Sequence, residues 1–120
     1  MNKLEKRRIV QQYLQYDKPI LDRTGNTYDA YEGLVIHGLI EECPVTFTSS
    51  AIGALAAYCR GDLATFAFSF DAAKNYQSLY TYDDNGIAVK TNTPAEIAEI
   101  GQKRADWIRD QCKKLLTIIM

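Results

Sequence analysis

The stretch from Thr93 to Met120 constrains this chain more than any other. It opens Thr93-Pro94-Ala95-Glu96, where Thr93 and Glu96 stand at capping-box spacing and Pro94 falls at the first helical position. No proline and only one glycine follow. The pattern predicts one helix of about seven turns, about 37 Å long if unbroken. A helix of that length in 120 residues must carry much of the core along its side.

At 100° per residue, Ile97, Gly101, Ala105, Ile108, Cys112, Leu115, Leu116 and Ile119 share one arc, which Ile100, Trp107 and Ile118 widen. Gly101 and Ala105 invite a close backbone neighbour, expected to be a sheet face. Arg104 and Gln111 interrupt the arc. The expectation for both is the rim, with the Arg104 guanidinium reaching water or a carboxylate. The alternative is a guanidinium aimed at a bound anion or at a partner's carboxylate, with Arg60 or Lys103 assisting.

Size and charge narrow the function classes. One domain is expected, large enough for a core without disulfides or metal. Fourteen basic against fifteen acidic residues leave a formal charge of −1. That balance argues against a nucleic-acid partner, and equally against an acidic mimic of DNA. Residues 31–90 are the acidic part, with three basic and seven acidic groups. Three cysteines, an odd number without C-x-x-C spacing, and a single histidine, His37, give no zinc pattern. They suit a reducing, cytoplasmic setting. No secretory leader and no membrane-spanning run is read from the sequence.

Along the chain, residues 2–16 read as a helix with Ile9, Val10, Tyr13, Leu14 and Tyr16 inward, stopped by Pro19. Its Lys6-Arg7-Arg8 cluster reads as a solvated helix end. Residues 19–31 read as a small hairpin turning at Arg23-Thr24-Gly25-Asn26. Residues 33–40 read as a central strand, and Val45 to Thr48 as another. Thr48-Ser49-Ser50 caps a short helix that Gly61 ends. Leu63 to Phe70 reads as a strand with Phe66, Phe68 and Phe70 on one wall. Tyr76 to Tyr82 and Ile87 to Thr91 form a hairpin across Asp83-Asp84-Asn85-Gly86, Asn-Gly being the strongest short hairpin signal. The expected fold is therefore α+β: an antiparallel sheet of about five to seven strands with the N-terminal helix and the long C-terminal helix packed on one face.

Several short motifs are set aside. Asp22-Arg23-Thr24-Gly25 has no second copy to form a carboxylate pair. Ser49-Ser50 with Gly53 lacks the lysine and second glycine of a phosphate loop. Tyr82-Asp83-Asp84 places paired carboxylates where turn chemistry already explains them. His37 with Cys43 or Cys59 would be the pair of a thiol hydrolase, but nothing in the sequence places a thiolate or an orienting carboxylate beside the histidine. No cofactor and no metal is expected.

The hairpin offers the best surface. Tyr76, Tyr80 and Tyr82 share a strand face by parity, amid Asn, Gln, Ser and Thr, with Asp83 and Asp84 at the tip. Tyrosine in such company suits protein recognition, because it adds large contact area at small entropic cost. The leading expectation is a non-catalytic binding or regulatory protein of inhibitor or adaptor type, such as phages and mobile elements encode. It would self-associate and bind a protein partner. A small anion or nucleotide sensor built on Arg104 is the alternative, and a hydrolase built on His37 comes last.

Overall fold

The computed structural model describes residues 1–17 and 27–120. Its elements, in order, are α1 (Lys3–Leu14), α2 (Thr27–Ile36), α3 (Ser49–Cys59), α4 (Leu63–Lys74), β1 (Tyr80–Tyr82), β2 (Ala88–Thr91) and α5 (Pro94–Ile119). The expected five-to-seven-stranded sheet is absent from the described residues. Their only sheet is the antiparallel pair β1–β2, and the core is helical.

The long helix forms as its sequence requires. Thr93 Oγ1 accepts from Glu96 N, and the Glu96 carboxylate accepts from Thr93 N, so both halves of the capping box are made. α5 packs against α1, α3 and α4. α3 lies deepest, with every residue from Ala51 to Ala57 buried. Its small side chains let neighbouring helices close around it.

Two segments that read as strands are helices. Residues 33–40 belong to α2 and its end. Gly38, at φ 71°, ends α2 in a Schellman arrangement: Leu39 N donates to Leu34 O and Gly38 N to Val35 O. Gly61 ends α3 the same way, with bonds from Gly61 N to Tyr58 O and from Asp62 N to Ala57 O. Residues 63–70 begin α4, capped by Asp62. Helical spacing puts Phe66 and Phe70 together inside, ring centroids 5.5 Å apart, and turns Phe68 out to solvent at 78% exposure. The three phenylalanines thus form no common wall. The proposed hairpin over 19–31 lies mostly outside the described residues, but its last part, from Thr27, is helix.

Residues 45–48 are not a strand either. The connection from α2 to α3 is irregular and held by side chains instead. Gln111 Oε1 accepts from Glu41 N, and Trp107 Nε1 donates to Glu41 O. Tyr31 Oη accepts from Cys43 N, and Phe47 stacks on Tyr31 at 4.2 Å. A backbone supplied with such partners needs no ladder.

Gly101 does bring a backbone close, but the neighbour is the end of α4 rather than a sheet. A Cβ added there would stand 2.2 Å from Lys74 O.

The Asp62 cap gives the fold an acid-sensitive joint. Its carboxylate accepts from Thr65 N, Thr65 Oγ1 and the Arg60 guanidinium. These bonds, led by the Thr65 hydroxyl, hold its pKa at about 2 against an ordinary 3.8. Because the folded value is the lower, the stabilisation is complete above the unfolded pKa. It is lost as pH falls from 3.8 through about 2. Asp62→Asn should lower the melting temperature by several degrees at neutral pH and flatten its decline over that acid range, as a pH series of thermal melts would show.

Candidate functional site

The hairpin stands away from the helices. Every residue of β1 and β2 is exposed, as are Leu79 and Ile87 beside them. Leu79 therefore does not face a core. The turn is built as the sequence implies. Asp83 N donates to Ile87 O, Gly86 N donates to Asp83 O, and Gly86 takes φ 75°. Asp83 Oδ1 accepts from Asn85 N and Ile87 N, so Asp83 shapes the turn, while Asp84 is exposed at the tip.

Tyr80 and Tyr82 share one face, their rings 6.4 Å apart in an edge-on arrangement. Tyr76 lies before the strand, so the parity argument does not reach it. Its ring lies 5.5 Å from the Arg104 guanidinium carbon. Two hollows flank the tyrosine strand. One, of about 200 Å³, is lined by Tyr76, Ser78, Tyr80 and Tyr82 with Thr46. The other, of about 330 Å³, adds Pro44, Val45 and Ile100. Thr46, Tyr80 and Tyr82 belong to both.

The root of the hairpin is buried and polar. Arg104 is 0% exposed, not at the rim. Its Nε donates to Thr46 O (2.8 Å), Nη1 to Ala73 O (2.9 Å) and Nη2 to Ser78 Oγ (2.9 Å). Burial lowers its pKa, a shift that Cys43 and Tyr76 oppose. Among the described residues no carboxylate pairs with it. Asn92, also buried, donates from Nδ2 to Ser78 O and accepts from Thr81 Oγ1. Lys90 pairs with Glu96, tying β2 to the start of α5. A two-stranded hairpin is marginal alone. These contacts fix its base and leave its length in solvent.

No known protein family, curated protein or solved structure matches this chain. The reading of the site accordingly rests on the geometry.

The other candidate residues are not gathered into a site. Arg60 pairs with Asp62, and Lys103 with Glu99 across one helical turn. With the Arg104 donors turned to Thr46, Ala73 and Ser78, the three cations have separate partners. His37 is exposed just past α2, its ring 6.1 Å from that of Tyr13. Burial pushes the Cys59 and Cys112 thiols up to about 12, and Cys43 is raised too, the opposite of an activated thiolate. Among the described residues no cluster of ligands could hold a metal, and no helix is long and apolar enough to cross a membrane.

One exposed surface escaped the sequence reading. The outer side of α4 presents Ala64, Ala67, Phe68 and Ala72 to solvent. The signal was available in Asp62-x-x-Thr65, a helix start with the cap three residues before the N–H it satisfies.

Proposed function

We propose that this chain is a small non-catalytic recognition protein, of inhibitor or adaptor type, that meets a protein partner through the β1–β2 hairpin. The observation that carries this reading is the contrast between root and blade. The root is fixed by Arg104, Asn92 and Lys90–Glu96. The blade leaves Leu79, Tyr80, Tyr82, Ile87 and Val89 each more than 40% exposed. Exposed apolar and tyrosine side chains concentrated on one small hairpin are the kind of surface that an interface covers. Rigid anchoring lowers the entropy lost on binding. Free thiols with raised pKa suit a reducing setting. The Arg104 guanidinium supports an anion site poorly, since it is buried with its donors engaged.

The test is affinity capture from the host lysate with the chain and with Tyr80→Ala/Tyr82→Ala. Both side chains are exposed, so the double variant should melt within a few degrees of the parent. It should lose the captured partner by about tenfold or more, as expected when tyrosine anchors are removed. Undiminished capture by a folded double variant overturns the reading.

A further inference from the structure

We infer that the free edge of β1 pairs with β1 of a second copy, in antiparallel register about a two-fold axis at Thr81. This rests on the hairpin being the contact surface and names one occupant of it.

The phase of the ladder decides which groups are free. Asn92 N donates to Leu79 O and Asp83 N to Ile87 O, so Leu79 and Asp83 turn main-chain groups toward β2. Alternation along the strand turns Thr81 the same way and sends the N–H and C=O of Tyr80 and Tyr82 outward. No second strand lies on that side among the described residues.

The two edges of the hairpin are treated differently. β2 is guarded: its register slips opposite the Thr81/Tyr82 step, leaving Val89 as the extra residue, and it carries Lys90. A bulge and a lysine are the usual means of discouraging edge pairing. β1 has neither. It is uncharged, proline-free and reads Tyr-Thr-Tyr in both directions.

That symmetry fits a second copy. With Thr81 on the axis, Tyr80 faces Tyr82 of the second copy. This pair can exchange both of its N–H···O bonds, and the two-fold repeats the exchange at the other end. Directly opposed side chains lie on one face, so the tyrosines of both copies merge into a single platform. Asp83 falls opposite Leu79 of the second copy, which keeps the two acidic turns at opposite ends. The result is a four-stranded sheet, past the size at which a hairpin is marginal.

The experiment is light scattering on purified chain at rising concentration, joined to cysteine cross-linking in a Cys43→Ser background. The expected result is a dimer at tens of micromolar. T81C should form a disulfide dimer under mild oxidation, because residues on the axis adjoin, whereas Y80C and Y82C should not. Tyr80→Pro removes an outward N–H that β2 does not use. It should weaken the dimer about tenfold or more while leaving the melt of the monomer nearly unchanged. A chain that stays monomeric at those concentrations overturns the proposal, and so does a dimer without Thr81-selective cross-linking, which would place the contact elsewhere. Neither outcome touches the hairpin as a site for another protein, because lysate capture by the tyrosine variant is read separately.

Discussion

Arg104→Ala should cost about 3–5 kcal/mol of stability, read as a lower urea midpoint at unchanged slope. The substitution removes three donors at once. It strands Ala73 O and Ser78 Oγ in the interior and frees Thr46 O, while leaving space where a long side chain lay. Lysine should restore little, since one ammonium on a flexible stem cannot hold three acceptors in the directions the planar guanidinium reaches. Methionine separates packing from hydrogen bonding. It fills the space and removes a buried charge that pairs with no carboxylate among the described residues, yet leaves the acceptors unmet. It should fall between alanine and the parent. A methionine variant more stable than the parent would show that the desolvation of the charge outweighs its hydrogen bonds.

The second large effect runs against helix propensity. Gly101 sits within α5, where glycine is intrinsically about 1 kcal/mol worse than alanine. Propensity alone therefore predicts that Gly101→Ala stabilises. The packing predicts the reverse, because the added methyl would lie 2.2 Å from Lys74 O, a main-chain atom that no rotamer change can move. Relief requires α4 and α5 to separate, disturbing the turn that presents Ala73 O to Arg104. A net loss of about 1–3 kcal/mol is expected from such overpacking, measured by denaturant unfolding. A gain near the propensity value would mean that the two helices part easily.

What was legible in the sequence is what local chemistry fixes. The capping box at Thr93, the glycine after α3 and the Asn-Gly turn each act over a few residues, and each stands where the sequence places it. The failures concern segments that are apolar on more than one side. Residues 33–40 and 63–70 alternate well enough to pass for strands, and periodicity separates poorly between a buried strand and a helix with little amphipathic contrast. The deciding signals were the punctuation: Gly38 as a helix stop and Asp62 as a helix start. For the site, the tyrosines and the turn acids were legible as surface chemistry. The role of Arg104 was not, because its acceptors come from Thr46, Ala73 and Ser78, distant in sequence from residue 104. Helical phase placed Arg104 within the apolar arc. The general habit of charges to reach water argued it back out to the rim, and packing decided otherwise.

Two of the three acceptors that Arg104 holds are backbone carbonyls. Substitution cannot delete a carbonyl. Thr46 is exposed and lends the network only its main chain, so the position can drift to almost any residue without loosening the joint. Ala73 is restrained by the space around it, not by what it donates or accepts through its side chain. Ser78 alone contributes a replaceable group. Mutational tolerance is thus lopsided across one junction: a single position demands arginine, while the segments it joins have only to pass by at the right distance. A hairpin mounted in this way can change its outward residues, and with them its partner, while its attachment stays the same.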